Sequence, residues 1–461
     1  MAKILMTGGT GFVGGAIGRQ LTAAGHSVVV VTRNRSRTLG RLSFPCELVE
    51  WQAGQRFRLP PEAFQDIDTI IHLAGEPVAD KMWTAAQKQR IYDSRIDSTK
   101  GLIASIKASG HQPKAFIQAS AVGFYGNGGD QILGEDRPPR DDFLGKTCAD
   151  WEQVGRESET LGMRHVAIRV GLVLGHEGGA LPQLVSVYAM GLGANLAGGQ
   201  HYVPWIHLED VAGLFVTAAL DESWSGIYNG TAPSPVRFWE FHNALGEHLK
   251  VPHFLGAPGF ALRLLLGGRA AIVLNSQRTS AEKVLKTGFT FRYGTLNSAM
   301  EVLFGSRQLP GVRYTKLQQW LPQSRAEVWP FFCDAMNLER LTPPYLNFKV
   351  LGKSTDDIRK GTLIDYRLSL HGIPLKWRTE IVDWQEQVRF VDKQIKGPYA
   401  LWHHTHTFED LAGGTLMTDV VQYKLPMGLL GSVAGGKYVE WDVGRIFRYR
   451  LDQGAAIFAG A

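Results

Sequence analysis

The sequence predicts an α/β unit built on a doubly wound parallel sheet, followed by a smaller α+β unit. Three observations carry this reading. Short Val- and Ile-rich runs alternate with helix-period stretches through about the first 220 residues, and a glycine-rich turn follows the first of those runs. Beyond a break at 305–311 the texture changes to closely spaced strand-like segments. The 461 residues suffice for two or three domains, and 44% hydrophobic with 20% charged residues excludes a disordered chain. Glycine is over-represented at 53 residues, which implies many tight turns or close backbone approaches. The 49 Lys and Arg barely exceed the 43 Asp and Glu and are dispersed, which argues against a nucleic-acid partner.

Taken in order, residues 3–6, 27–31, 69–73, 115–118 and 165–170 read as buried strands. A helix is expected over 83–107, where Ile91, Arg95, Thr99, Leu102 and Ile106 recur at threes and fours. From 233 to 303 the pattern is helical and irregular, with helices over 238–249 and 279–285. After the break, a helix over 325–333 leads into strands at 346–351, 363–370, 377–384, 388–391, 401–408 and 416–424, and a last helix covers 438–451. The expected organisation is a first domain over 1–303, with a cofactor part to about 175 and a substrate side over 176–303. A linker over 304–311 and a second domain over 312–455 follow. Cys46, Cys148 and Cys333 lie far apart without a CxxC pair, so neither a disulfide framework nor a zinc cluster is expected. With no apolar leader and no apolar run of about 18 residues, the expectation is a cytoplasmic protein without a membrane span.

Thr7-Gly8-Gly9-Thr10-Gly11-Phe12-Val13-Gly14 places Gly8, Gly11 and Gly14 directly after a strand and at the start of a helix. Such a turn lets backbone approach a pyrophosphate, whose charge then meets N–H groups at the helix N-terminus. This is the signature of a Rossmann-type dinucleotide site. An NAD-preferring site ends its second strand in an acid; this one ends Thr32-Arg33-Asn34-Arg35. Guanidinium suits a 2′-phosphate, so the expected cofactor is NADP(H) rather than NAD(H).

These residues resemble the extended short-chain dehydrogenase/reductase superfamily, with His72-Leu73-Ala74-Gly75 matching its strand-four motif. More narrowly, Asp93-Ser94-Arg95, Arg169-Val170-Gly171-Leu172-Val173-Leu174-Gly175 and Trp205-Ile206-His207-Leu208-Glu209-Asp210 resemble its atypical, epimerase-like branch over residues 1–303. The resemblance implies that Leu73, Ala74, Gly75, Arg95 and Val170 lie near the cofactor, beside the turn residues Thr10, Phe12 and Val13 and the strand end at Thr32 and Arg33. Ordinary members pair a Ser with Tyr-xxx-Lys. Ser120 fits the Ser, but Cys148 and Glu152 stand at the Tyr and Lys positions, and the sole Tyr-xxx-Lys match, Tyr345–Lys349, falls in the second unit. Ser120, Tyr125 and Cys148 are therefore only weak catalytic candidates. A structural corner is expected at 205–210, with Asp210 capping a helix.

The second unit resembles the START-like helix-grip superfamily, in its cyclase/dehydrase-like branch. Leu341-Thr342-Pro343-Pro344-Tyr345 and Gly397-Pro398-Tyr399-Ala400-Leu401-Trp402-His403-His404-Thr405-His406 carry the likeness. It implies a sheet wrapped around a long C-terminal helix and an apolar cavity between them, about 300–1,000 Å³ in size. Val439, Val443, Ile446 and Phe447 give that helix an apolar stripe, and Arg378, His404 and Tyr423 are its candidate polar groups. His403, His404 and His406 have no acid or Cys nearby in sequence and read as ladder residues rather than metal ligands. The expected function is an NADP(H)-dependent oxidoreductase or epimerase-like enzyme with an apolar-ligand module. The alternative is a nucleotide-sensing binding protein without catalysis.

Overall fold

The structure, a computed structural model, describes residues 1–38, 40–51, 57–305, 311–370, 372–426 and 428–458. Of the expected linker, 306–310 lie outside the described residues. Seven strands form a parallel sheet: β1 (Lys3–Thr7), β2 (Ser27–Thr32), β3 (Glu47–Glu50), β4 (Thr69–His72), β5 (Ala115–Ala121), β6 (Arg164–Val170) and β7 (Gly226–Gly230), in the order β7-β6-β5-β4-β1-β2-β3. The order reverses between β1 and β4, which opens a crevice at their C-terminal ends.

Strand parity builds the two layers. Ile4, Met6, Val28, Val30 and Ile71 face one side, where helices α1 (Phe12–Ala23) and, further along the chain, Leu208–Leu220 bury Ile17, Leu21, Val211 and Phe215. Leu5, Val29, Val31, Ile70 and Phe116 face the other, against Leu102 and Ile106 of α2 (Ala85–Ser109). With side chains alternating between faces, this is the near-continuous apolar strand expected of a sheet covered twice. Thr84 caps α2 by accepting from the Gln87 N–H at 3.2 Å, and Gly110, at φ 71°, ends it. α3 (Phe143–Arg156) packs beside α2, and α4 is the Leu208–Leu220 helix.

Two strands of the parallel sheet escaped the sequence reading. β3 is a four-residue edge strand with a glutamate at each end, and β7 (Gly-Ile-Tyr-Asn-Gly) has the composition of a turn. Pairing with β2 and β6 overrides their weak propensity. The helix expected over 279–285 begins later, at Glu282, because Arg278–Thr279 pairs as a short strand with Ile132–Leu133.

The second unit is an antiparallel sheet of β8 (Arg313–Leu321), β9 (Lys349–Lys353), β10 (Leu363–Leu370), β11 (Ile373–Gln385), β12 (Arg389–Lys396), β13 (Leu401–Leu411) and β14 (Gly414–Lys424), ordered β8-β14-β13-β12-β11-β10-β9. Helix α5 (Arg325–Cys333) follows β8, and α6 (Gly428–Phe458) runs along the concave face, consistent with a helix-grip fold. Register shifts at Val350/Gly352, Arg378/Thr379 and Ile381/Asp383 bend the outer strands. α6 starts ten residues before its expected start, because glycines at 428, 431, 435 and 436 mask the helical period. Val443 and Phe447 of the expected stripe pack on Val421 and Tyr423.

The units meet through specific contacts. The Trp320 N–H donates to the Leu42 carbonyl at 2.8 Å, and Arg41 makes a two-pronged ion pair with Asp452 at 3.0 Å. Gly40, at φ 80°, lies so close to α6 that a Cβ there would collide with the Ala455 methyl.

Candidate functional site

The β1–α1 turn is a backbone cradle at the crevice. Gly8 sits at φ 74°, and a Cβ on it would stand 3.0–3.2 Å from Leu73 and Ala74. A Cβ on Gly14 would collide with the Gly8 carbonyl oxygen. That carbonyl accepts from Gly11 N–H at 2.9 Å, and the Gly15 N–H closes the first helical bond onto Gly11, which leaves the Phe12, Val13 and Gly14 N–H groups facing out of the helix end. Here glycine is required by contact and not merely tolerated.

A buried network fixes the neighbouring strand end. The Thr7 hydroxyl bonds His72 Nδ1 at 2.7 Å and accepts from the Leu73 and Ala74 N–H groups. His72 Nε2 bonds the Thr99 hydroxyl at 2.9 Å, and that hydroxyl also accepts from Trp151 Nε1 at 3.0 Å. Burial, helped by the nearby Arg95 charge, pushes His72 down to about 3, so its ring is neutral. Arg95 lies against Gly75, donates to the Glu76 carbonyl at 3.1 Å and stacks over Trp151 at 5.1 Å. At the end of β2, Thr32 bonds Thr38 at 2.7 Å while Arg33 is exposed with no ion pair among the described residues. Arg35 is turned away toward the Leu48 carbonyl, and its N–H donates to Glu50 of the neighbouring strand, an acid the sequence reading had not placed there. Val170 ends β6 and, with Phe12, Val13 and Leu73, packs on the same core. The Phe12 ring lies against Gly175, Gly178 and Gly179, where a Cβ would approach it to 2.9–3.1 Å.

The three catalytic candidates lie near one another, Ser120 and Tyr125 engaged in hydrogen bonds and Cys148 buried beside Tyr125. Arg169 and Glu152, 3% and 6% exposed, form a two-pronged ion pair with both bonds at 2.8 Å. Ser120 donates to Glu152 Oε1 at 2.6 Å. The Tyr125 hydroxyl accepts from Arg169 Nη1 at 2.8 Å and donates to Asn229 Oδ1 at 2.7 Å, and burial pushes it up to about 12. Burial, reinforced by Glu152, also raises the Cys148 thiol to about 12, far from a reactive thiolate. The sequence reading missed Arg169 as the organising cation; the signal available was an arginine on a fully buried strand, which needs a buried acid. Asp210 caps no helix. His207 does, accepting from the Glu209 N–H at 3.1 Å, while Asp210 accepts from the backbone N–H groups of Arg292 and Tyr293 at 2.7 and 3.0 Å.

In the second unit a cavity of about 170 Å³ lies between sheet and α6, smaller than the expected size. Its walls are apolar, including Leu341, Leu346, Ile364, Trp377, Trp402 and Phe447. Of the expected polar groups only His404 lines it. Arg378 pairs with Asp365 on the outer surface at 2.8 Å, and Tyr423 is buried behind the wall. The polar end is instead formed by Asp392, His404, His406 and Arg450, with Asp419 behind. Cross-strand register sets Asp392 opposite His404 and Asp419 opposite His406, two acids that sequence distance hid. Burial would raise Asp419, but Arg450 and His406 hold it well below the usual carboxylate range.

Two outcomes are expected from these networks. His72 is neutral when folded but binds a proton below about 6.5 when unfolded, so its contribution is complete above that pH and lost as pH falls toward 3. The loss has a slope of at most about 1.4 kcal/mol per pH unit. Urea midpoints measured between pH 7 and 4 should therefore fall less steeply for His72→Gln than for the unaltered chain; equal slopes would show that the ring takes up its proton in the folded state. Glu152→Gln strands the Arg169 charge and should cost about 3–5 kcal/mol, whereas the joint replacement Glu152→Leu with Arg169→Met should cost much less. Equilibrium unfolding of the three variants compares them directly.

Residues 4–229 match the family model of the NAD dependent epimerase/dehydratase family, 257–303 a domain of unknown function (DUF1731), and 321–445 the model for polyketide cyclase / dehydrase and lipid transport. The epimerase family protein YfhF of Bacillus subtilis is 35% identical over 307 residues, 66% of this chain and 99% of that protein. The chloroplastic SDR39U1 homolog of Arabidopsis thaliana is 32% identical, over 65% of this chain and 86% of that one. A crystal structure of human epimerase family protein SDR39U1 (isoform2) with NADPH aligns at a TM-score of 0.59 and 28% identity, covering 66% of this chain and all of that one. A nucleoside-diphosphate sugar epimerase from Corynebacterium glutamicum aligns at 0.53 and 29%, covering 67% and 59%. A glycine cradle at the sheet's reversal point, joined to these likenesses, shows that the chain belongs to the epimerase family of atypical short-chain dehydrogenase/reductases and carries a C-terminal polyketide cyclase-like unit.

Proposed function

We propose that the first unit binds NADP(H) and serves an oxidoreductase or epimerase-like reaction on a small molecule, while the second binds an apolar ligand. The observation that carries this reading is the Gly8–Gly14 cradle, whose bare Cα positions and outward N–H groups fit a pyrophosphate. Human SDR39U1, similar over the same region, was crystallised with NADPH. In this reading Gly8, Thr10, Gly11, Phe12, Val13 and Gly14 hold the phosphates. Thr32 and Arg33 receive the 2′-phosphate, and Leu73, Ala74, Gly75, Arg95 and Val170 flank the nucleoside and nicotinamide. When bound, the cofactor supplies or accepts a hydride. The chain divides between a first domain over 1–303 and a second over 312–455, joined by 304–311. The three dispersed free thiols support a cytoplasmic setting.

Proton transfer must come from elsewhere than in ordinary members of the superfamily. Ser120, Tyr125 and Cys148 are committed to the Glu152–Arg169 network or buried beside it, so a water or the substrate itself is the proton carrier in this reading. The same observation favours a second reading, a nucleotide-sensing protein that catalyses nothing. NADPH oxidation followed in the presence of fractionated metabolites separates the two: turnover that persists in Cys148→Ala and Tyr125→Phe supports the enzyme, and no turnover with any fraction supports the sensor.

Fluorescence titration should show NADPH bound about tenfold or more tightly than NADH, the effect of one or two charge-assisted contacts. Arg33→Ala should remove most of that difference without changing NADH binding; equal affinities for both cofactors would refute the assignment. For the second unit, the full chain should bind an apolar dye such as Nile red, and Leu338→Trp, which fills the cavity from its rim, should weaken that binding at least about tenfold. Unchanged dye binding in a folded Leu338→Trp variant would place the dye elsewhere.

A further inference from the structure

The polar end of the cavity gathers two histidines and two carboxylates into one buried cluster. His404 and His406 lie on the same face of β13, with ring centroids 3.7 Å apart. Each ring presents one nitrogen to each carboxylate. His404 Nε2 and His406 Nδ1 stand 3.0 and 2.7 Å from Asp419 Oδ1. The remaining nitrogens, His404 Nδ1 and His406 Nε2, stand 3.5 and 3.1 Å from Asp392 Oδ2. Asp419 is 1% exposed and its second oxygen accepts from Arg450 Nε at 3.0 Å.

In the tautomers in which His404 and His406 both give an N–H to Asp419, the two remaining ring nitrogens turn their lone pairs toward Asp392 Oδ2, so three donor atoms from two strands converge on one point. A cation between these atoms satisfies all three donors at once. Bonds of about 2.1 Å at octahedral to tetrahedral angles set ligand atoms roughly 3.0–3.4 Å apart. The His406 separation from Asp392 lies within that spacing and the His404 separation just beyond it, and one donor atom from each of the three residues falls within 4.8 Å of the others.

We propose that Asp392 Oδ2, His404 Nδ1 and His406 Nε2 hold a divalent transition metal at the polar end of the cavity. Asp419 orients both rings from behind and Arg450 fixes Asp419, the arrangement in which a ligating imidazole gives its distal N–H to a carboxylate. Two histidines and one carboxylate leave coordination positions open, and these face the cavity. The cavity ligand is then an apolar molecule carrying an oxygen donor, such as a carbonyl, enol or carboxylate. This inference uses only the second unit and stands or falls independently of nucleotide binding.

Cobalt(II) and zinc(II) binding to the chelator-stripped, full-length chain tests it. One metal per chain is expected, with visible cobalt bands of a nitrogen–oxygen site and a melting temperature raised by zinc. Asp392→Asn and His404→Ala should each weaken binding by at least about 100-fold, and Asp419→Asn by about 10–100-fold. His403→Ala, on the opposite face of β13, should bind as the unaltered chain does. Because Asp392→Asn keeps the side-chain shape, its circular dichroism reports whether a loss of binding is a loss of fold. A folded chain that takes up no cobalt or zinc, or an Asp392→Asn variant that binds both unchanged, would overturn the assignment. So would a metal-free chain in which His406 is an imidazolium shared by both carboxylates, visible by NMR as a downfield ring proton.

Discussion

The buried Arg169–Glu152 pair is the interaction on which the first unit turns. It joins β6 to α3, takes the Ser120 hydroxyl from β5, and through the Tyr125 hydroxyl reaches Asn229 on β7. Removing two charges from water is costly, and only near-ideal geometry with further hydrogen bonds offsets it. This site has both, in paired 2.8 Å bonds with the Arg169 guanidinium also lying over the Phe124 ring. The hydroxyls of Ser120 and Tyr125 are both engaged within this network, which ties β5, β6, β7 and α3 together beneath the crevice.

How much of this could be read from sequence depends on how local the cause was. The glycine turn was legible because its requirement lies within seven residues: Gly14 must clear the Gly8 carbonyl, and Gly8 must adopt φ 74°. The central strands were legible because both faces are buried, which gives unbroken Val and Ile runs. β3 and β7 were not, since an edge strand and a glycine-flanked strand owe their form to their neighbours. The polar end of the second cavity was illegible for the same reason. Asp392 and Asp419 lie 12 or more residues from the histidines they contact, and only the antiparallel register of three strands and the arrival of Arg450 from α6 assemble them.

The two sites are built from different materials, which bears on what each can recognise. The crevice is lined chiefly by backbone, with glycines and free N–H groups that suit a charged ligand common to many proteins. The cavity is made of side chains, aromatic and aliphatic walls around one charged end, and such a surface selects shape. Differences among proteins sharing the first unit therefore have little room at the phosphate cradle and much more in the segments that cover it.

One of those covering segments ties the units together. Phe12, in the first turn of α1, lies against Gly175, Gly178 and Gly179. Within that loop Glu177 forms an ion pair with Lys316 of β8 at 2.6 Å, and the His176 ring stacks on Tyr314 of the same strand at 4.6 Å. Burial would raise the Glu177 carboxyl, yet Lys316 holds it below its ordinary range, so the pair is an effective electrostatic tie. The loop is thus anchored on both sides, by Phe12 beside the glycine turn and by β8 of the second unit, so β8 helps to set the position of the loop next to that turn.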